Sequence, residues 1–426
     1  MWTYRIPESP LDLRMNQTFS PIVTFFALAN LALAVDVSKC TNATLRYISG
    51  GLNATIDSHT PGMLPDDGVA IGIEDGAIYN INGTLHMFPT EMHSGWVATR
   101  VVHWTAPADD RTNWTFVGGI TDYGHGKCGI DDHHAEHWSG APQWNDLDEN
   151  WYLTVVGYNM NCDKNGRSAS GGDGRILLYK STTPGYKEGI GGPYVIDIEG
   201  EGLLPRPTSL EEFNENAFED WGVPEGLDPF DPDEPFPERI IENGICSFAP
   251  VYKSALAEDP DDRLYTVYGT GWDIGAAYSD DGVRGSWYRK NKDGNHLPIG
   301  DWGDGGPENP QVTLTSSGIY VMWWAANLLQ VEHGLAFAWS KDGVNWEDAT
   351  GDGVHTGSAG YMLEVAPYPY QALRTPLGLV EHTDKPNFFT LFYTAFDNRP
   401  TKPDDIGGYA SLFQTEFELV LTMEDE

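Results

Sequence analysis

The chain has 426 residues, of which 63 are Asp or Glu and 25 are Lys or Arg, so its formal charge at pH 7 is −38. A protein this acidic lacks the basic surface that nucleic acid requires, which excludes a nucleic-acid partner. Hydrophobic residues make up 40% of the chain and aromatic residues 12%, which is enough to bury a core and excludes disorder as the main state. The 48 Gly, 28 Pro and 15 Trp favour an all-β fold with many tight turns.

Residues 1–34 have the features of a signal peptide. From Met15 an apolar run ends in Ala32-Leu33-Ala34, the small-x-small pattern that signal peptidase cleaves. We predict cleavage after Ala34, with Met15 as an alternative start, and a single mature domain over residues 35–426. A buried apolar helix is the alternative interpretation. The run is too short and contains too much Pro and Asn to span a bilayer. No other stretch approaches transmembrane length, so no membrane partner is expected.

Sequons and cysteines agree with export. Four Asn-x-Thr sequons lie early in the mature chain, at Asn42, Asn53, Asn82 and Asn113. Four cysteines either form two disulfides, with three connectivities open, or remain free buried thiols; they are Cys40, Cys128, Cys162 and Cys246. These features predict a secreted glycoprotein.

A repeated pair of strands is the most informative pattern in the chain. Five segments share a turn or Pro-containing opening, a strand, a short polar turn and an aromatic strand; they start at Glu74, Gly140, Phe248, Glu308 and Arg374. Three of them are followed by another strand and an aspartate turn closed by a tryptophan that we predict to be structural, namely Trp114, Trp287 or Trp346. Each unit therefore contains about four strands, and most openings recur every 60 to 67 residues.

Four-stranded units repeated around an axis predict a β-propeller, and five units predict five blades. The spacing of 108 residues between Pro142 and Pro250 leaves an insertion at about 197–242, which holds 15 Asp or Glu. We predict that this acidic loop packs on the propeller as a wall or lid. The alternating segment from Tyr409 is expected to pair with a strand near the mature N-terminus.

The blade openings resemble those of glycoside hydrolase family 43 and its five-bladed relatives over roughly residues 68–420. Glu74-Asp75-Gly76, followed by the Asn82-Gly83-Thr84 turn, is similar to the first-blade opening of that family. Glu308-Asn309-Pro310 resembles the opening that carries the catalytic acid, and the turn Ser340-Lys341-Asp342-Gly343-Val344-Asn345-Trp346 is also typical. The resemblance implies a glycosidase in which Asp75 is the general base on water and Glu308 the general acid.

Two departures from the family pattern affect these assignments. Gln143 stands where the second blade of the family carries an aspartate that tunes the acid, and the Glu308 opening falls in the fourth unit instead of the third. Glu308 and Arg374 are alternatively a buried ion pair between blades. Asp75 is alternatively a turn residue bonded to its own backbone.

Other residues at the openings or in nearby loops are candidate substrate contacts: Arg374, Gln143, Trp138, Trp272, His93 and His137. Arg374 would hold a carboxylate or sulfate, which points to an anionic glycan. Trp138 and Trp272 would stack on sugar rings, whereas most other tryptophans, such as Trp323 and Trp324, are expected in the blade core, where they would raise the pKa of Glu308.

Two further functions remain open at this point. The missing carboxylate at Gln143 favours a non-catalytic glycan-binding propeller, and the histidine-rich segment before Trp138 favours a polysaccharide lyase with His93 or His137 as base. The same histidines are alternatively metal ligands. Hydrolysis requires no cofactor; a structural Ca²⁺ in the acidic insertion is an alternative to a solvated acidic face. We predict a monomer whose partner is a carbohydrate.

Overall fold

The computed structural model describes residues 36–50, 55–56, 70–93, 99–130, 133–159, 161–162, 166, 168–169, 174–198, 247–251, 265–269, 274–279, 287–289, 308–326, 334–348, 361–362, 372–396 and 410–424. In these residues the chain forms β-strands and two short 3-10 helices, Val37–Lys39 and Gly189–Gly191, and no α-helix. This part of the chain therefore contains no helix that could cross a membrane.

The strands form four larger sheets and one two-stranded ribbon. The first sheet contains β1 (Cys40–Gly50), β2 (Ala70–Glu74), β3 (Ile78–Ile81), β4 (Thr84–Met87), β5 (Thr90–His93), β6 (Thr99–Pro107), β7 (Thr115–Gly119), β23 (Ala372–His382), β24 (Lys385–Phe396) and β25 (Ala410–Met423). The second contains β8 (Glu136–Asn145), β9 (Asn150–Tyr158), β12 (Gly174–Ser181) and β13 (Tyr194–Ile198), and the ribbon β10 (Asn161–Cys162) and β11 (Ser168–Ala169). The third contains β14 (Ser247–Val251), β15 (Tyr265–Gly269), β16 (Ile274–Ser279) and β17 (Trp287–Arg289). The fourth contains β18 (Glu308–Leu314), β19 (Tyr320–Ala326), β20 (Gly334–Ser340), β21 (Trp346–Asp348) and β22 (Tyr361–Met362).

All five predicted hairpins are confirmed as antiparallel strand pairs: β3–β4, β8–β9, β14–β15, β18–β19 and β23–β24. The three predicted tryptophan-closed turns are likewise confirmed as β6–β7, β16–β17 and β20–β21. The fold is an all-β propeller. Two of the predicted units share the ten-stranded sheet, so the described strands form four large sheets, and the count of five blades stays a prediction.

The C-terminal strand joins several segments of the ten-stranded sheet. β25 pairs antiparallel with β24 and with β1, where the register runs from Cys40 opposite Met423 to Gly50 opposite Thr415. It also pairs parallel with β2 through Gly72 and Ala410. The prediction that the segment from Tyr409 pairs with a strand near the mature N-terminus is therefore confirmed. Closure of this kind protects the strand edges from pairing with other chains.

Five terminal strands of the sheets lie side by side around the axis of the propeller. β14 lies beside β8 and β18, β18 lies beside β23, and β23 lies beside β3. These are the inner strands. Apolar side chains on the faces of the sheets pack between them, and the largest fully buried ones include Trp151, Trp323, Trp324 and Trp339. The expectation that most tryptophans belong to the blade core is confirmed for these residues.

One disulfide is present in the described residues, between Cys128 and Cys162, with Cα atoms 5.0 Å apart. Cys40 is buried and free, and its Sγ donates to the carbonyl of Asn42 at 3.3 Å. One of the two predicted disulfides is therefore confirmed, and in the described part of the chain Cys40 has no cysteine partner. Cys246 lies outside the described residues, as do the predicted signal peptide and all of the acidic insertion beyond Ile198.

Arg111 joins the β6–β7 turn to the β23–β24 hairpin. Its Nε donates to the carbonyl of Ala108 at 3.0 Å and its Nη1 to the carbonyl of Val380 at 3.1 Å and to Thr390 Oγ1 at 2.5 Å. Its Nη2 donates to the carbonyl of Glu381 at 3.3 Å. One guanidinium thus satisfies four acceptors on two parts of the ten-stranded sheet, which uses the fixed fork of donors that lysine lacks.

We expect Arg111→Ala to lower the free energy of unfolding by about 2–4 kcal/mol, because it leaves several acceptors without their donor and each such loss costs about 1–3 kcal/mol. Arg111→Lys should recover only part of this, since one ammonium cannot reach all four oxygens. Urea denaturation of the three proteins measures both effects. A loss below about 0.5 kcal/mol for Arg111→Ala would show that water replaces the guanidinium without cost.

Candidate functional site

Three buried polar residues from different strands meet at the axis. Asp75 follows β2, Ser139 lies in β8 and Asn309 lies in β18, and their side chains are 5%, 3% and 1% exposed. Asn309 Nδ2 donates to Asp75 Oδ1 at 2.7 Å. Ser139 Oγ lies 3.5 Å from Asp75 Oδ2 and 3.4 Å from Asn309 Oδ1, and its one proton serves one of these acceptors at a time. Two other sheets therefore hold the Asp75 carboxylate. We name these three residues the axial cluster.

The backbone of each member of the axial cluster is left-handed. The φ angles are 44° at Asp75, 54° at Ser139 and 53° at Asn309, a region that non-glycine residues seldom adopt. The strand register shifts at the same places, between Trp138 and Ala141 in β8 and between Glu308 and Gln311 in β18. A bulge of this kind re-aims a side chain, and here two bulges turn Ser139 and Asn309 toward Asp75. Buried strain of this kind is concentrated at functional sites.

Threonines fix the backbone of Asp75 and Ser139. The Asp75 N–H donates to Thr375 Oγ1 at 3.0 Å, and the Asp75 carbonyl accepts from the Thr90 N–H at 3.0 Å. Thr90 Oγ1 in turn accepts from the Ser139 N–H at 2.8 Å, and Thr375 Oγ1 lies 3.0 Å from Thr394 Oγ1. The carboxylate is thus presented by a backbone that bonds to two neighbouring strands, β5 and β23. Such support holds a reactive group in one geometry.

Asp75 belongs to the axial cluster, and other predicted site residues adjoin it in sequence. Three predicted site residues each precede a residue that takes part in it or bonds to it: Trp138 precedes Ser139, Glu308 precedes Asn309, and Arg374 precedes Thr375. Ser139, Asn309 and Thr375 were missed, although all three lie within the repeat openings. Of Glu308 and Arg374 the structure describes the backbone only, so the predicted ion pair between them is not tested.

Gln143 is four residues beyond the position that meets Asp75. It is 5% exposed within β8, and its Nε2 has no hydrogen-bond partner among the described residues. The side chain of β8 that reaches Asp75 is Ser139, because the bulge after Trp138 turns that position toward the axis. The alternative in which Asp75 bonds to its own backbone does not account for these contacts, since its carboxylate bonds to Asn309 and Ser139.

Of the two tryptophans predicted to stack on sugar rings, the structure describes Trp138 but not Trp272. Trp138 is 7% exposed, and its Nε1 donates to Glu136 Oε2 at 2.8 Å, so little of its ring surface is open to a sugar. Trp272 lies outside the described residues. His93 is the last residue of β5, and only its backbone is described.

His137 uses both ring nitrogens within the protein. Its Nδ1 lies 3.0 Å from the carbonyl of Asp122, which can only accept, so Nδ1 carries the proton. Its Nε2 therefore accepts from Nδ1 of His134 at 2.9 Å. His137 is 4% exposed, and burial lowers its pKa to about 4. Within the part of the chain that is described, no group of three or more His, Cys, Asp or Glu could hold a metal ion.

A second histidine pair lies between β4 and β6. His86 Nδ1 and His103 Nε2 are 3.0 Å apart, and Phe88 stacks on His103 with ring centroids 4.6 Å apart. Burial lowers the pKa of His86 to about 4 and that of His103 to about 3, and the second imidazole lowers the pKa of His103 further. Both rings are therefore neutral in the folded protein at neutral pH.

These histidines should make the fold sensitive to acid. Their pKa values lie below 6.5 when folded, so the unfolded chain binds more protons and stability is lost as pH falls from about 6.5 toward 4. We expect about 2 kcal/mol of loss per buried histidine between pH 7 and pH 5. Urea denaturation at several pH values, with His103→Gln alongside, measures this. A slope unchanged in His103→Gln would assign the acid sensitivity to other groups.

Known structures share this fold, although no protein-family model matches the chain and no curated protein matches it. The α-L-arabinofuranosidase PaAbf62A from Podospora anserina, solved in complex with cellotriose, is 11% identical, with 89% of this chain and 98% of that chain covered and a TM-score of 0.51. A solved protein described as a glycoside hydrolase is 14% identical, with 87% of this chain and 91% of that chain covered and a TM-score of 0.51. These two matches confirm, at the level of the fold, the resemblance of the sequence to propeller glycoside hydrolases.

The catalytic domain of the GH62 α-L-arabinofuranosidase from Coprinopsis cinerea is 8% identical, with 89% of this chain and 98% of that chain covered and a TM-score of 0.48. Family-43 glycoside hydrolases also match, at TM-scores of 0.44 to 0.47. The identities of 11% and 14% to the two structures with a TM-score of 0.51 fit a divergent chain.

Proposed function

We propose that this protein is a secreted glycoside hydrolase that cleaves an extracellular poly- or oligosaccharide by paired-carboxyl catalysis. The observation that carries the proposal is the axial cluster, where strained backbone on three strands brings Asp75 to the axis between Asn309 and Ser139. The shared fold of solved glycoside hydrolases supports it. The proposed propeller has five blades, with the ten-stranded sheet contributing two of them.

Asp75 is the base of the proposed reaction. Two neutral donors stabilise a negative charge on its carboxylate, which is the form that takes a proton from water. A second, protonated carboxyl must assist the leaving group, and the sequence nominates Glu308, whose backbone adjoins Asn309. Arg374, directly before Thr375, is proposed to hold a carboxylate or sulfate of an anionic substrate.

A disulfide and two exposed sequons support export of the protein. The Cys128–Cys162 disulfide belongs to an oxidising compartment, and the sequon residues Asn82 and Asn113 are both exposed. We propose that the chain is secreted as a monomeric glycoprotein that needs no cofactor for hydrolysis.

A glycan-binding propeller without activity is the second candidate. It is favoured by one observation: the residues that meet Asp75 from β8 and β18 are Ser139 and Asn309, which are not carboxylic acids. A binding site needs hydrogen-bonding groups but no acid and base at a set separation.

An assay of the purified protein on a broad panel of plant and algal polysaccharides and aryl glycosides separates these functions. We expect new reducing ends without ultraviolet absorbance from unsaturated uronates. Reducing ends with that absorbance would indicate a lyase and contradict hydrolysis. Binding to a polysaccharide without any product would favour the glycan-binding propeller.

A further inference from the structure

Glu136 is a buried carboxyl on the same inner strand as Ser139. It is the first residue of β8, three positions before Ser139, whose hydroxyl contacts Asp75. Glu136 therefore lies on the same inner strand as the hydroxyl that contacts Asp75, at the start of β8 and before its bulge. An acid and base pair for glycoside hydrolysis requires two carboxyl groups that flank the glycosidic bond.

The bonding of Glu136 is incomplete. Its side chain is 5% exposed, and Oε2 accepts a hydrogen bond from Trp138 Nε1 at 2.8 Å. Its Oε1 is buried and has no hydrogen-bond partner among the described residues. Burial raises the pKa of Glu136 to about 7, although the bond from Trp138 acts to lower it. The group therefore holds its proton near neutral pH.

In the described part of the chain, burial and the Trp138 hydrogen bond account for the pKa of Glu136, and no charged side chain pairs with it. The adjacent His137 bonds to the Asp122 carbonyl and to His134. Tyr158 is the cross-strand neighbour on β9. The adjoining strand β14, Ser247–Val251, contains no titratable residue.

A purely structural role would be served as well by glutamine, without the cost of burying an acid. The Trp138 N–H has a more specific use. It donates to Oε2, which shares the negative charge of the carboxylate once the proton has left Oε1, so it is placed to stabilise the product carboxylate.

We propose that Glu136 is the proton donor of the site, in place of Glu308; this rests on the proposed hydrolase function. Glu136 Oε1–H gives its proton to the glycosidic oxygen as the bond from that oxygen to the anomeric carbon breaks. Asp75 takes a proton from the water whose oxygen bonds to the anomeric carbon. Glu136 ends ionised and Asp75 protonated, and solvent returns the proton from one to the other, so the net change is addition of water across the glycosidic bond.

The test compares Glu136→Gln with Glu308→Gln, the variant of the competing candidate for the proton donor. Glutamine keeps an oxygen to accept from Trp138, so the fold should be retained, which thermal unfolding checks. Both variants are assayed on two aryl glycosides, one with a dinitrophenolate leaving group that needs no proton and one with a poor leaving group. The pH profile of kcat/KM is measured for each protein.

Glu136→Gln should lose about 10²- to 10⁴-fold on the poor leaving group and little on the dinitrophenyl glycoside. Any loss in Glu308→Gln should be of similar size on the two glycosides, because a residue that does not protonate the leaving group has no preference between them. The wild type should lose activity as pH rises through about 7, and Glu136→Gln should lack this alkaline limb. The opposite pattern, with selective loss in Glu308→Gln, would overturn the proposal while leaving hydrolysis intact.

Two other outcomes also decide the question. Equal losses by Glu136→Gln on both glycosides would mean a structural role and overturn the assignment. A wild type inactive on every substrate would overturn the proposed function, and this assignment with it.

Discussion

Replacing Asp75 by asparagine should lower kcat by about 10²- to 10⁴-fold on every substrate that the wild type cleaves, with little change in KM. Asparagine cannot take a proton from water, but it matches aspartate in shape and tolerates the left-handed backbone at this position. It also keeps an oxygen to accept from Asn309 Nδ2. The free energy of unfolding should therefore change by less than about 1 kcal/mol.

Asp342→Asn is the matched control for this loss. Asp342 Oδ1 accepts hydrogen bonds from the N–H groups of Val344 and Asn345 at 2.8 and 2.7 Å in the β20–β21 turn. Loss of its charge should weaken that turn and leave kcat unchanged. Initial rates and urea denaturation on both variants separate chemistry from stability. Equal rates for Asp75→Asn and wild type would exclude Asp75 as the base.

Gly76→Ala should be among the most damaging single substitutions near the site. Gly76 has φ of 132°, and a Cβ there would lie 2.3 Å from the carbonyl oxygen of Phe88 and 2.8 Å from the Cα of Pro89. Both contacts are with backbone, which cannot rotate away. Strain of about 1–2 kcal/mol and overpacking of about 1–3 kcal/mol together predict a loss of about 2–5 kcal/mol in unfolding free energy. Because Gly76 follows Asp75, activity should fall as well.

Gly83→Ala provides the comparison. Gly83 has φ of 84° in the turn between β3 and β4, and an added Cβ would meet nothing within 4 Å. Only the backbone strain of about 1–2 kcal/mol applies, and activity should persist. Thermal and urea unfolding of the two variants measure the difference. Equal losses would mean that the backbone at Phe88 shifts to admit the methyl group.

The sequence predicted the strand pairs because alternation and turn chemistry are local. Asn82-Gly83 is a residue pair typical of a tight turn, and both residues have positive φ. The Asp342 side chain accepts from the Asn345 N–H within its own turn, as aspartate commonly does. The division into sheets was harder, since the parallel contact between Gly72 and Ala410 joins segments far apart in sequence. Long-range pairing of this kind leaves no local signal.

The sequence predicted residues that adjoin Ser139 and Asn309 but not these two residues themselves, because a bulge changes which residue faces the axis and leaves no mark in the composition. Ser139 and Asn309 are ordinary polar residues in the openings, and only their left-handed backbone turns them to Asp75. Their neighbours Trp138 and Glu308 are larger and chemically more distinctive, which is why sequence reasoning chose them. The raised pKa of Glu136 could not be predicted from the sequence either, because it results from burial of the carboxyl in the fold.

The position of a bound oligosaccharide in a crystal of the Asp75→Asn variant tests the central claim most directly. The substrate should be one that the wild type cleaves. We predict that its scissile bond lies over the axial cluster, with the side chain at position 75 within one water molecule of the anomeric carbon and the Glu136 carboxyl on the leaving-group side. An oligosaccharide bound on the outer strands, or with its scissile bond away from position 75, would contradict the account.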